Sequence, residues 1–288
     1  MAKLTVVVPA RNAAATLPLT LRALAGGERP PDEVLVADGG SRDGTRTVAE
    51  RFGARVVDNP RRHAAGARQA GTLAARGEVV AFTDADCIPA PDWLARVERR
   101  MDADPELAGV GGRVTLAAPR NRVQAYGAHV FESIMQFADE PVWAAAREMR
   151  GSLPGANCAY RRAAVLDVGG FRDEFSNYAE EIDLAWRLLD TGARVLYDPA
   201  ILVEHLGYPA TRRALLRANF RFGIASTKLA RHHIRRARID WMVYRRLLGS
   251  IGRLALGREE WGVLPALQSA GFAAGKIYSS IREGIVNL

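Results

Sequence analysis

Short apolar runs alternate with amphipathic stretches along the first half of the chain. Residues 4–8 form a continuous run rich in β-branched side chains, which predicts a buried strand. Thr16, with Pro18 close behind and Gly26-Gly27 as a stop, predicts a helix to about Ala25. Residues 33–37 read as a second strand. Asp43-Gly44-Thr45 opens a helix that ends at Gly53, and residues 54–57 read as a third strand. A helix over 63–76, stopped by Gly77, leads into a fourth apolar run at 78–83. Asp92 predicts the cap of a further helix to Met101.

That β-α-β-α-β-α-β rhythm predicts an α/β fold, a mainly parallel central sheet flanked by helices. Beyond it a strand is expected over 107–116, a helix over 120–137, a loop over 155–160, a helix over 180–189 and a short strand at 195–197. After Pro209 the pattern turns to basic helices without clear strands. The expected division is therefore a catalytic domain over 1–208 and a basic C-terminal helical extension over 209–288.

Composition narrows the function classes. The chain has 288 residues, 48% hydrophobic and 25% charged, which suits a folded protein with a sizeable core. Its net charge of +8 and pI near 10 call for an anionic partner. Two cysteines, Cys87 and Cys158, form neither a CxxC pair nor a His/Cys cluster and read as small packing residues. They fit a reducing cytoplasm better than a disulfide framework or a zinc site. No signal peptide and no transmembrane run are expected; residues 261–278 come nearest and are interrupted by Gln268, Ser269 and Lys276.

The chemistry gathers at predicted strand ends, where open α/β sheets bind ligands. Asp84-Ala85-Asp86 closes the fourth apolar run. Paired carboxylates make poor core material but suit a divalent cation beside a diphosphate. Ala10-Arg11-Asn12 follows the first strand and Asp38 the second. Together Val7-Val8-Pro9-Ala10-Arg11-Asn12, the segment Asp38-Gly39-Gly40-Ser41-Arg42-Asp43-Gly44-Thr45, Asp84-Ala85-Asp86, Gly169-Gly170-Phe171 and Glu180-Glu181-Ile182-Asp183-Leu184 resemble, in order, the family-2 glycosyltransferases with the GT-A fold. The resemblance covers roughly residues 3–207.

The resemblance implies an inverting, metal-dependent transfer of a sugar from a nucleoside-diphosphate sugar, with a UDP-sugar favoured over a GDP-sugar. It implies that Asp38 reads the base, although a helix-entry acid beside Ser41 and Asp43 is the alternative. Pro9, Ala10 and Arg11 then present backbone and side chain to the nucleoside, and Arg68 lies near base and diphosphate. Asp84, with Ala85, lies near the ribose, and Asp86 with His205 holds Mg²⁺ or Mn²⁺. Asn157 lies near the sugar or acceptor. Glu181 stands where the family usually carries Asp, which makes it the first candidate for the general base and Glu180 the second. Asp183 is read as a helix-terminus acid.

The acceptor expected is a glycan or lipid-linked saccharide. Transfer is expected to be non-processive, because no Gln-x-x-Arg-Trp pattern occurs. Interleaved arginines, aromatics and aliphatics after residue 209 suit an anionic membrane surface, hence a cytoplasmic protein peripheral on the inner face of the cell membrane. Nucleic acid is disfavoured for want of a base-reading fold, and the sequence leaves the oligomeric state open. The rival readings are a GT-A-like nucleotidyltransferase, which would need a Gly-rich, Lys-bearing loop after the first strand, and a catalytically silent nucleotide-sugar or membrane scaffold.

Overall fold

A computed structural model describes residues 3–284 apart from 136, 147, 149–151, 177, 208, 235–240 and 258–259. Nine strands form one sheet: β1 (Leu4–Ala10), β2 (Glu33–Asp38), β3 (Arg55–Asp58), β4 (Val79–Phe82), β5 (Cys87–Pro89), β6 (Leu107–Leu116), β7 (Val142–Trp143), β8 (Cys158–Arg161) and β9 (Arg194–His205). Their order is β3-β2-β1-β4-β8-β6-β9-β5, with β7 also on β9. The β3-β2-β1-β4 half is parallel, as the alternating rhythm predicts. The other half is mixed: β8 runs antiparallel to both β4 and β6, and β5 antiparallel to β9.

Helices α1 (Leu17–Ala25), α2 (Thr45–Arg51), α3 (Ala64–Ala74), α4 (Trp93–Ala103), α5 (Arg122–Met135), α6 (Arg162–Asp167) and α7 (Glu180–Asp190) connect these strands. Three more, α8 (Arg212–His233), α9 (Trp241–Ala255) and α10 (Leu264–Glu283), follow the sheet. Caps differ in kind from those expected. His63 accepts the Gly66 amide at 3.1 Å and so caps α3. Thr16 and Asp92 make no capping hydrogen bond.

Two compact units result. The first contains residues 1–117 and 135–207, the second 118–134 and 208–288, so most of α5 belongs with the C-terminal helices. In the first unit Val7, Leu35, Phe82, Tyr160, Phe171 and Leu184 belong to one buried core. Phe82 meets Phe171 edge-on at 5.3 Å between centroids. In the second unit Tyr126 of α5 packs with Leu215 and Leu264, and its ring lies 5.6 Å from Trp261.

Two departures from the expected elements bear on function. Residues 158–161 are a strand rather than the tail of a loop, paired on both sides. The strand expected at 195–197 continues to His205, because β9 absorbs the Asp198-Pro199 interruption as a bulge. Gly112 pairs Asp198, yet Arg113 pairs Leu202. This extension carries His205 to the strand end where it faces Cys87 of β5.

Candidate functional site

Register decides which carboxylates meet. Ala10 of β1 pairs with Asp38 of β2, and Val7 pairs with Phe82 of β4, so Arg11, Asp38 and Asp84 leave the sheet along one edge. Pro9 is half-buried, Ala10 buried and Arg11 exposed, its Nη1 donating to the Arg62 carbonyl at 3.4 Å. Asp38 is buried and already well supplied with donors. Both its oxygens face the Ser41 amide at 3.2 and 3.3 Å, Oδ1 also accepts the Ser41 hydroxyl, and Oδ2 accepts from Arg46 at 3.3 Å. The helix-entry role weighed from sequence is therefore present alongside its position at the edge.

Arg68 ties two acid groups together. Far from lying on an exposed helix face, it is 3% exposed in α3. One guanidinium nitrogen donates to Asp84 Oδ1 at 2.9 Å, the other to Glu180 Oε1 at the start of α7. Burial pulls this guanidinium's pKa down, but Asp84 and Glu180 outweigh it and the net shift is upward. Gly155 gives the guanidinium its room. A Cβ built there would fall 2.9 Å from Arg68 Nη2 and 3.6 Å from the Glu181 carboxyl carbon.

The two glutamates stand in different surroundings. Glu180 is 2% exposed, and its Oε2 has no hydrogen-bond partner. Burial, reinforced by the neighbouring Glu181 charge and opposed by Arg68, pushes Glu180 up to about 8. Glu181 is only partly buried by surface area. Its carboxyl is also raised, chiefly by burial and against Arg68. Asp183 is fully buried and is more than a helix-terminus acid: it pairs with Arg172 at 3.1 Å and Arg187 at 2.7 Å.

Asp84, Asp86, Cys87 and His205 form the one cluster of ligand-type side chains found among the described residues, with one donor atom of each within 4.8 Å of the others. His205 Nε2 lies 3.7 Å from Asp86 Oδ1, while its Nδ1 accepts the Gly207 amide at 3.0 Å. A cation held at Nε2 would require the ring proton on Nδ1, in place of that bond. Burial pushes Asp86 up, His205 draws it down, and the Asp84 charge raises it again. A Cβ at Gly207 would fall 2.4 Å from Asp86 Oδ2 and 3.2 Å from His205 Cε1, so glycine keeps the space open. Two carboxylates and an imidazole around an opening fit a hard divalent cation. Ala85, between the acids, is buried.

Asn157 departs from its expected place beside a sugar. It is fully buried, donates to the Arg113 and Ile201 carbonyls at 2.8 Å each and accepts from Trp93 Nε1 at 2.8 Å. Those carbonyls flank the β6–β9 register slip, so Asn157 satisfies groups that the bulge leaves unpaired. Sequence reading passed over Gly207 and gave Cys87 only a packing role. The signal for both was proximity, one following Asp86 directly and the other lying two residues after His205.

Comparison with known proteins fits this geometry. The sequence profile described as Glycosyl transferase family 2 matches residues 5–168. The pre-mycofactocin glycosyltransferase of Mycobacterium tuberculosis is 32% identical over 233 residues, covering 79% of this chain. The chain spans about half of that relative, 48% of its length. Glycosyltransferase AglE of Haloferax volcanii is 28% identical over 229 residues, covering 76% of this chain and 71% of its own. Among solved structures, the mannosyltransferase PcManGT from Pyrobaculum calidifontis, in complex with GDP-Man and Mn²⁺, superposes with a TM-score of 0.68 at 20% identity, covering 96% of this chain and 87% of its own. Glucosyl-3-phosphoglycerate synthase from M. tuberculosis, with Mn²⁺, UDP and glucosyl-3-phosphoglycerate, gives a TM-score of 0.57 at 20% identity over 80% of this chain and 79% of its own. These likenesses establish the GT-A fold.

Proposed function

The chain belongs to glycosyl transferase family 2, and we propose on that premise that it is an inverting, metal-dependent glycosyltransferase that moves a sugar from a UDP-sugar to a glycan or lipid-linked saccharide. The observation that carries this reading is the bridge made by Arg68. It joins Asp84, beside Asp86 and His205, to Glu180, beside Glu181, so donor-side and acceptor-side acids occupy one locality.

Inversion needs a single displacement in which a base removes the acceptor hydroxyl proton. Glu181 suits that task better than Glu180. Glu181 is the less buried residue of the two, whereas Glu180 is sealed under Arg68. Asp86 and His205 are the residues to hold Mn²⁺ or Mg²⁺, with Asp84 beside them; the ion supplies Lewis acidity that neutralises charge on the departing diphosphate. Mn²⁺ is bound in both solved relatives described above.

Asp38 alone does not choose between a uridine and a guanosine donor. A carboxylate offers about four acceptor positions, and Ser41 and Arg46 already fill them. With the Ser41 amide spread over both oxygens these donors make four contacts, so either base would have to displace one of them to reach Asp38. The solved relatives divide on this point, one holding GDP-Man and the other UDP.

A lipid-borne acceptor fits the C-terminal helices. Residues 209–288 contain fifteen basic and four acidic residues, a surplus of eleven against +8 for the whole chain, so the first 208 residues are net acidic. On α9 the exposed Leu248 and Ile251 lie near the exposed Arg245, Arg246 and Arg253, a composition that binds anionic headgroups. Arg235, Arg236 and Arg238 lie outside the described residues, as do the side chains of Trp241, Met242 and Tyr244. None of the described helices is long and apolar enough to cross a membrane. On the strength of this basic and apolar surface we propose a peripheral position on the cytoplasmic face of the cell membrane.

The test is nucleoside diphosphate release with Mn²⁺, a panel of UDP- and GDP-sugars and lipid-linked acceptors. UDP release is expected. Turnover with GDP-sugars alone would refute the UDP-sugar assignment, and no turnover with any donor and acceptor would favour a silent scaffold. Flotation with phosphatidylserine vesicles but not neutral ones is the expected lipid result; binding to neither removes the membrane assignment.

A further inference from the structure

The cation cluster holds a ligand type that a site for Mg²⁺ or Mn²⁺ does not call for. Cys87 is 0% exposed, and its sulfur lies within 4.8 Å of donor atoms on Asp84, Asp86 and His205. Register explains why. Cys87 of β5 pairs directly with His205 of β9 across an antiparallel ladder, and directly opposed residues project from the same face with Cβ atoms about 5 Å apart. Asp86 is its neighbour in sequence, and the Leu206 amide anchors that segment by donating to the Asp86 carbonyl at 2.8 Å. Thiolate, imidazole and carboxylate in such proximity match the donors that Zn²⁺ and Cd²⁺ select, whereas Mg²⁺ and Mn²⁺ prefer oxygen.

We propose that Asp86, Cys87 and His205 form a second, thiophilic binding mode of this site, in which a soft divalent cation such as Zn²⁺ or Cd²⁺ displaces the hard one and silences the enzyme. The inference rests on the cation site of the proposed transferase. Coordination forms one bond from sulfur to the cation, and the thiol proton leaves to solvent. The inhibition follows from depth. Cys87 is fully buried, while the side chains of Asp84, Asp86 and His205 are 29, 36 and 25% exposed. A cation drawn onto sulfur therefore sits on the protein side of the opening, away from where diphosphate oxygens complete the shell of a hard ion. Mg²⁺ and Mn²⁺ prefer oxygen donors and so leave Cys87 alone.

The decisive measurement needs no turnover. Cd²⁺ is titrated into the full chain while ultraviolet thiolate-to-cadmium charge-transfer absorbance is followed, and in parallel Cd²⁺ is added to Mn²⁺-loaded protein with free Mn²⁺ read by electron paramagnetic resonance. The expected result is a charge-transfer band saturating at one Cd²⁺ per chain, with one Mn²⁺ released. Cys87→Ser should lose the band and bind Cd²⁺ at least ~100-fold more weakly, the scale on which even lost ligand support acts, while holding Mn²⁺ as before; Cys158→Ser should keep the band. Absence of a band in the unaltered chain overturns the inference outright, whether or not the variants fold. A band that survives Cys87→Ser and disappears in Cys158→Ser also overturns it. A band without sugar transfer from any donor would leave this inference standing and remove the transferase reading; transfer with Mn²⁺ bound and no band would do the reverse.

Discussion

Replacing Glu180 by Gln should stabilise the protein at neutral pH, although Glu180 touches a buried arginine. Its two oxygens are unequally served. Oε1 meets Arg68, but Oε2 is buried without a donor, and the side chain is 2% exposed. A carboxylate held that way favours its proton, and the group rises from 4.5 to about 8. A folded-state pKa above the unfolded one costs stability as pH climbs between the two values. Each pH unit separating them corresponds to about 1.4 kcal/mol, so the gap sets a ceiling of about 5 kcal/mol by pH 8. Glutamine has the shape of the protonated acid and does not titrate. Urea denaturation of both proteins at pH 5, 6, 7 and 8 should therefore show near-equal stability at pH 5 and a growing advantage for Gln above it. Glu180 and Glu181 titrate as a pair, so the same series is run in a Glu181→Gln background, where the advantage of Gln at 180 should shrink because the neighbouring charge is gone. A difference that stays flat across the range, or that favours Glu throughout, would mean that the Arg68 ion pair keeps Glu180 charged, and would refute the stabilisation by Gln.

Three further outcomes are expected. Glu181→Gln should lower kcat by about 10²–10⁴, the usual contribution of a general base, with UDP affinity by calorimetry unchanged; near-normal turnover would reassign the base. Asn157→Ala should cost about 3 kcal/mol in thermal unfolding, because it strands two carbonyls and an indole N–H in the interior; intact stability with lost donor affinity would instead restore a sugar-contacting role. His63, whose pKa is lowered by burial and by Arg61, must be neutral to accept the Gly66 amide. Its contribution is present above the unfolded value near 6.5 and lost as pH falls through the lower folded one, so His63→Asn, which keeps a cap without titrating, should lose less Tm between pH 7.5 and 5.5 than the parent.

The parallel half of the sheet was legible because its information is local. Each strand is a short apolar run, each helix carries its own start or stop, and a ligand-bearing residue follows each strand directly. The mixed half was less legible because β8 and the far end of β9 are defined by partners distant in sequence. Asp198-Pro199 breaks the apolar pattern, and the strand's continuation shows only in its pairing with β6 and β5 and in the hydrogen bonds of Asn157 to Arg113 and Ile201. The same bulge decides two functional questions. It turns Asn157 inward, and it extends β9 far enough to set His205 opposite Cys87.

The glutamate pair shows why neighbouring residues of one type cannot be ranked from sequence. Successive helical side chains point about 100° apart, so one of two adjacent acids at the start of α7 must turn toward the interior. Which one does so depends on Arg68, more than a hundred residues earlier on α3. Arg68 pairs with Glu180, and Gly155 leaves space for the guanidinium with the Glu181 carboxyl close by. The family's usual Asp at the base position is one methylene shorter than Glu181. Glu181 is the less buried residue of the pair, so an extra methylene there disturbs packing less than in the sealed position of Glu180. The longer acid thus occupies the position of the pair where added length is more easily housed, which is the physical ground for proposing Glu181 as the base despite the departure from the family pattern.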